Sequence, residues 1–172
     1  MTTRKHILVV ANVTAISDEL LAALQARAAT QPVTFHLIVP ATSFGGGRAA
    51  ARERVHVVTA RMQAAGLHVD GNVADGDPIV AVSEVWDPKR YDEVIVSTLP
   101  MRVSKWLHAG LPERIRQLTG APVTHVVSQP RKPPIEPTPA PRHHKSAIGP
   151  LAVLGWGSPK DKLDTTRQTR EG

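Results

Sequence analysis

The sequence contains no cysteine among its 172 residues. Without cysteine there is no disulfide framework, no thiolate metal site and no cysteine nucleophile. Proteins that depend on any of these groups are therefore excluded. The absence of cysteine is also compatible with a reducing compartment.

Long apolar runs are lacking as well. No stretch approaches the roughly 20 apolar residues that a membrane-spanning helix needs. The polar start leads into a short apolar run, Ile7–Val10, which is too short for the core of a signal peptide. We therefore predict a cytoplasmic protein without a transmembrane segment.

The positive charge of the chain is concentrated near its end. Residues 1–127 hold 13 Lys and Arg against 11 Asp and Glu, whereas residues 128–172 hold 8 against 4. The first part therefore has no long basic run suited to a phosphate backbone. Nucleic acid is not predicted as a partner.

Short apolar runs that are rich in β-branched residues indicate strands. Runs without polar alternation are typical of strands covered on both faces, as in a parallel sheet. Five segments fit this description, the third of them more weakly: Ile7–Val10, Val33–Val39, Leu67–Val73, Val94–Val96 and Val123–Val127.

Helical signals fill the intervals between these strands. Ser17 is a good N-cap for the first helix, and an apolar stripe at helical spacing predicts the second. Asp77 and Pro78 predict the start of a third helix, and Pro112 the start of a last one. The order βαβαβαβαβ predicts an α/β domain over residues 1–128, with an open, doubly wound, parallel five-stranded sheet.

Residues 129–172 have a different composition. Six prolines between positions 130 and 141 block regular hydrogen-bonded structure and favour extended conformations. We therefore predict a disordered, basic, proline-rich tail. A short apolar motif at 147–156 interrupts it.

Large apolar side chains in this motif would lose the free energy of burial if they stayed in water. They are Ile148, Leu151, Leu154 and Trp156. We predict that the motif binds a protein partner, with peripheral association at an anionic lipid surface as a second option. Packing of the motif on its own domain or on a dimer mate stays open.

Polar residues follow the first and fourth strands. In an open α/β sheet, ligands bind beyond the carboxyl ends of the strands, where the strand order reverses. With a strand order of 3-2-1-4-5, Asn12 and Thr14 become neighbours of Ser97 and Thr98. We predict that these four side chains contact a ligand. A turn role for Asn12 and capping roles for Ser97 and Thr98 stay open.

Several segments resemble the universal stress protein family. Gly76–Ala81 is similar to the GDP-x-x-A element that opens the third helix of that family. Three further segments resemble its fourth strand, last helix and last strand: Tyr91–Val96, Pro112–Ile115 and Ala121–Val127. More narrowly, Asp92–Pro100 is similar to an actinobacterial branch that includes domains fused behind amino-acid permeases. The resemblance covers about residues 5–128.

The sequence departs from the ATP-binding members of that family. Those members carry an Asp where this chain has Asn12, and a G-x2-G-x9-G-[ST] loop whose glycines let backbone amides approach the phosphates. Between Val96 and Glu113 the sequence has a single glycine, Gly110. We therefore predict weak or no ATP binding and no cofactor.

Two basic residues and a serine follow the fourth strand. Arg102, Ser104 and Lys105 are candidate contacts for a different, anionic ligand, although solvated surface charge is the alternative for Arg102 and Lys105. The run Gly45–Gly47 lacks the context of a phosphate-binding motif, which favours a hinge.

Catalytic and metal-binding motifs are not recognisable in the sequence. It has no G-x-S-x-G elbow, no H-E-x-x-H and no carboxylate pair at the predicted crevice. We therefore predict that the protein is not an enzyme. The remaining enzymatic reading is a flavodoxin-like or response-regulator-like fold, but Asn12 and Asn72 do not supply the acidic residues of a response regulator.

The prediction is a non-catalytic universal stress protein-like module that senses a ligand or binds a partner in stress adaptation. Members of the family usually pair through the edge strand, which implies a homodimer, and an unpaired strand edge is a template for another strand. The matching residues are Val123, Thr124, His125, Val126 and Val127. The alternative is an accessory or scaffold subunit of a larger complex, docked through its tail.

Overall fold

A computed structural model of the chain describes residues 4–129. This part alternates strands with helices. The strands are β1 (Lys5–Val10), β2 (Val33–Pro40), β3 (Val69–Ala74), β4 (Glu93–Thr98) and β5 (Val123–Val127). The helices are α1 (Asp18–Thr30), α2 (Gly47–Ala64), α3 (Pro78–Val85), α4 (Lys105–His108) and α5 (Leu111–Thr119), and a 3-10 turn (Ser43–Gly45) precedes α2.

All five strands are parallel and lie in the order β3-β2-β1-β4-β5. The predicted α/β class, sheet type and strand order are therefore confirmed. The chain moves outward from β1 to one edge, and then returns to continue on the other side of β1 with β4. Because β1 has β2 on one side and β4 on the other, the strand order reverses at β1.

The sheet is buried on both faces, as its continuous apolar runs predict. On one face, Ile7 and Val9 of β1 pack with Leu20 and Leu24 of α1 and with Val58 of α2. On the other face, Leu8 and Val10 pack with Val82 of α3 and with Ile115 of α5. Within β1, Ile7 to Val10 are wholly inaccessible to solvent.

Helix starts follow the predicted capping residues. The hydroxyl of Ser17 accepts a hydrogen bond from the amide of Leu20 at 3.1 Å, and the carboxylate of Asp77 accepts one from the amide of Ile79 at 2.7 Å. Each cap satisfies an amide that has no partner within its helix. The sequence analysis missed α4, which is a single turn of four residues.

One buried carboxylate ties the end of α1 to the sheet. Glu93, at the start of β4, is 5% exposed and accepts hydrogen bonds from the guanidinium of Arg27 and the hydroxyl of Thr124. The carboxylate is thus paired with a cation and hydrogen bonded, as a buried charge requires. This contact fixes α1 against β4 and β5.

Within residues 4–129, no helix has both the length and the apolar character needed to cross a bilayer.

The strand β5 is an edge strand, since β4 is its one neighbour in the described sheet. Val126 of β5 is partly buried and packs against the apolar layer that contains α1. We expect Val126→Asp to lower the free energy of unfolding by about 2 kcal/mol or more, because a carboxylate would lose its solvation there. Urea denaturation measures this difference.

The matched control is Val57→Asp, since Val57 lies on α2 with its side chain 40% exposed. That variant should stay within about 1 kcal/mol of the parent. Equal losses in the two variants would contradict the packing assigned to β5.

Candidate functional site

A crevice lies beyond the carboxyl ends of β1 and β4, where the strand order reverses. It encloses a cavity of about 250 Å³. The lining residues are Asn12, Val13, Thr14, Phe44, Ser97, Thr98, Leu99, Val103, Ser104, Lys105 and Trp106. Six of the seven residues predicted to contact a ligand therefore meet here. The seventh, Arg102, is exposed and does not line the cavity.

Asn12 is buried, and its side-chain amide bonds to other segments of the chain. The Nδ2 group donates to the carbonyl of Pro40 at 3.0 Å and to the hydroxyl of Thr42. The Oδ1 atom accepts from Nη1 of Arg54 at 2.7 Å. Both amide hydrogens are thus used within the protein. Neither the turn role nor a free ligand-binding amide describes these contacts.

Gly45 makes this arrangement sterically feasible. A Cβ atom on Gly45 would lie 2.5 Å from Nδ2 of Asn12 and 2.8 Å from the Thr42 hydroxyl, which are distances that real Cβ atoms do not show. The glycine run was predicted to be a hinge. Its first member is instead needed for close approach, while Gly46 and Gly47 adopt positive φ values of 88° and 70°.

Arg54 is a site residue that the sequence analysis missed. Besides Asn12, its guanidinium bonds the carbonyl of Gly45 at 3.2 Å. Partial burial lowers the pKa of Arg54 from its usual value, because desolvation disfavours the charged form. Among residues 4–129, no carboxylate forms an ion pair with Arg54. Its position in the sequence of α2 gave no sign that its side chain reaches the end of β1.

The hydroxyl groups along the crevice connect neighbouring strands and loops. Thr14 donates to the carbonyl of Ser97 at 3.0 Å, and the hydroxyls of Ser97 and Ser128 lie 3.1 Å apart. The Thr98 hydroxyl donates to the carbonyl of Leu99 at 3.0 Å and lies 2.7 Å from Nε2 of His125. Ser97 and Thr98 both belong to β4 and cap no helix. Their contacts hold the end of β4 to the chain around it.

The loop after β4 turns its backbone amides inward. Val103 and Ser104 both donate their amides to the carbonyl of Pro100, at 3.0 Å each. Pro100 itself has no N–H to offer. Leu99 and Val103 contribute apolar side chains to the wall of the crevice. Two amides that could otherwise approach a phosphate are thus used within the loop.

Beyond this loop, Ser104 begins α4 and the next two residues reach the crevice. The Ser104 hydroxyl accepts a hydrogen bond from the amide of Leu107 at 3.1 Å. The ammonium of Lys105 lies 5.4 Å from the ring centre of Phe44, and Trp106 meets the same ring edge to face at 6.4 Å. The crevice therefore has an aromatic wall with a cation beside it.

The other predicted sites are a strand and a tail. The five residues from Val123 to Val127 form β5, whose outer edge is unpaired within the described part. Partial burial lowers the pKa of His125, which lies on this strand. The predicted tail contacts Ile148, Leu151, Leu154 and Trp156 lie outside the described residues. Between residues 4 and 129, no three His, Asp or Glu side chains cluster as metal ligands would.

The Asn12 amide should contribute measurably to stability. Asn12→Ala removes the hydrogen bonds of the amide to the Pro40 carbonyl, the Thr42 hydroxyl and the Arg54 guanidinium, so we expect a loss of about 1–3 kcal/mol in the free energy of unfolding. The matched control is Asn72→Ala, because Asn72 is exposed on β3 and bonds only the carbonyl of Val73. Urea denaturation measures the free energy of unfolding of both variants. A loss in Asn12→Ala no larger than in the control would contradict this assignment.

The steric contact between Gly45 and Asn12 predicts coupling between two substitutions. Gly45→Ala should destabilise the parent protein, because its Cβ collides with the amide of Asn12. In the Asn12→Ala background that collision is absent, so Gly45→Ala should cost less there, by at least about 0.5 kcal/mol. A double-mutant cycle from denaturation curves measures the difference. Additive losses would show that the two residues do not interact.

Comparison with known proteins identifies the fold. No family model and no curated protein matches the chain. A crystal structure of a universal stress protein in complex with cAMP is similar, with a TM-score of 0.54 and 18% identity over 72% of this chain and 97% of that one. A universal stress protein from Archaeoglobus fulgidus has a TM-score of 0.48 and 14% identity, over 71% and 93% of the two chains. The described part of the chain has the fold of the universal stress proteins.

Proposed function

We propose that the chain is a non-catalytic module of the universal stress protein type that binds a small ligand at the crevice between β1 and β4. Fold position supports this, because the crevice lies where open α/β sheets hold their ligands. The crevice also brings six polar or charged side chains, from the end of β4 and from the segments after β1 and β4, to one cavity with apolar walls. Convergent polar groups in an apolar cavity are typical of ligand sites.

The loop after β4 is the observation that distinguishes this site from an ATP site. An approaching triphosphate needs several free backbone amides. Here the amides of Val103 and Ser104 are bonded to the carbonyl of Pro100, and Leu99 narrows the approach with its side chain. The fold neighbour that holds cAMP carries a nucleotide with a single phosphate. We propose that this chain has lost tight ATP binding.

Assembly is part of the same proposal. The outer edge of β5 presents unpaired backbone groups within the described part, which supports pairing with β5 of a second copy. Val127 is 44% exposed on this strand, so an apolar side chain is available at the pairing surface. A homodimer would bury both the unpaired backbone edge of β5 and the side chain of Val127.

Calorimetric titration with Mg-ATP tests the proposed loss of ATP binding. We expect a dissociation constant of about 1 mM or weaker, which is roughly −4 kcal/mol. An ATP-binding universal stress protein titrated in the same buffer provides the positive control. A micromolar constant for this chain would overturn the proposal that the loop blocks triphosphates.

A further inference from the structure

We infer that the crevice between β1 and β4 takes a small, mainly apolar monoanion, of which a carboxylate is the simplest case. The inference rests on the proposed function, since it names the class of ligand for the same cavity. It follows from three properties of the lining: its unused donors, its charge and its walls.

Hydrogen-bond donors are in excess at one side of the crevice. Trp106 is only 8% exposed, and its buried indole N–H has no acceptor among residues 4–129. The adjacent Ser104 is 5% exposed, and its hydroxyl accepts from Leu107 while donating to no described acceptor. A buried donor without an acceptor is unfavourable. We infer that the acceptor of a bound ligand is the missing partner of these two groups.

The charge of the lining favours an anionic acceptor. Lys105 is the one charged residue among those that line the cavity, and no carboxylate of residues 4–129 pairs with it. The lining itself contains no Asp or Glu. A single cation with two neighbouring neutral donors suits a group of one negative charge, because charge-assisted hydrogen bonds are stronger than neutral ones.

The walls of the cavity indicate the size and the apolar character of the part of the ligand that does not carry the charge. Val13, Leu99, Val103, Phe44 and Trp106 surround the cavity with apolar surface. Its volume of about 250 Å³ lies below the roughly 300–1,000 Å³ of pockets that hold drug-sized ligands. The ligand is therefore small and largely apolar, and the edge-to-face pair of Phe44 and Trp106 suits a flat ring.

A neighbouring hollow is less suited to an anion. Phe44 and Trp106 also line a more open space of about 450 Å³ beside α3 and α5. That space contains Arg114, but it also contains the carboxylate of Asp77, which would repel an anion. The less open crevice beside Lys105 is therefore the site that we assign.

Nuclear magnetic resonance of the full ¹⁵N-labelled chain tests the inference, with 3-phenylpropanoate as probe and 3-phenylpropanamide as its neutral counterpart. The chain has three tryptophans, so Trp106→Phe assigns the indole resonance of Trp106. We expect 3-phenylpropanoate to shift that resonance in a saturable way and to bind at least about tenfold more tightly than the amide.

Two variants, one at a lysine and one at an arginine, locate the bound anion. Lys105→Met should remove most of the preference for the carboxylate over the amide, because the cation is gone while the walls remain. Arg114→Gln, which alters the neighbouring hollow, should leave that preference unchanged. Both residues have solvent-accessible side chains, so the variants are expected to fold, and their spectra verify this directly.

The outcomes separate this inference from the proposed function. If the amide binds as tightly as the carboxylate, or the carboxylate leaves the Trp106 resonance unmoved, the monoanion assignment is wrong while a ligand of another class remains compatible with the crevice. A preference that is lost in Arg114→Gln and kept in Lys105→Met would move the site to the neighbouring hollow and also overturn the inference. Micromolar ATP binding would instead overturn the part of the proposed function that concerns the loss of ATP binding.

Discussion

The side-chain amide of Asn12 holds together three segments from different parts of the chain. It joins the end of β1 to the carbonyl of Pro40 at the end of β2, to Thr42 in the following turn, and to Arg54 on α2. An amide suits this position because it can donate twice and accept at once. A carboxylate could accept from Arg54, but it would face the Pro40 carbonyl with another oxygen. The floor of the crevice therefore depends on an Asn rather than an Asp.

The position of the glycine turn follows from this network. Gly45 has to approach the Asn12 amide more closely than any other residue type allows, and its carbonyl then meets the Arg54 guanidinium. The turn that carries Phe44 is thereby fixed beside the crevice. Phe44 in turn contacts Trp106 and the ammonium of Lys105, which belong to α4. A contact at the end of β1 thus positions an aromatic wall that comes from two distant segments.

Local signals in the sequence were sufficient for the fold but not for the site. Apolar runs such as Ile7–Val10 and caps such as Ser17 and Asp77 act within a few residues, so strands and helices could be predicted from them, whereas the strand order was implied by the resemblance to the universal stress proteins. The gathering of Asn12, Ser97 and Ser104 also followed, because parallel strands end at one edge. The role of Arg54 could not be predicted, because it depends on a contact with Asn12, which lies 42 positions earlier in the sequence. The single turn α4 was missed because four residues give too short a pattern.

The electrostatic balance of the site follows from the same residue choices. With an Asp at position 12, the charge of Arg54 would be compensated within the protein; with Asn12 it has no described carboxylate partner, and desolvation lowers its pKa. Lys105 adds a second cation without a described carboxylate partner at the crevice. Two amides of the loop after β4 are bonded to the carbonyl of Pro100, which leaves fewer of the donors that a triphosphate requires. We propose that a site with few donors, a modest positive potential and apolar walls discriminates by charge and size together. Under that proposal a single negative charge is favoured, because one cation and two neutral donors cannot compensate several charges, and because a neutral acceptor forms a weaker bond than a charged one.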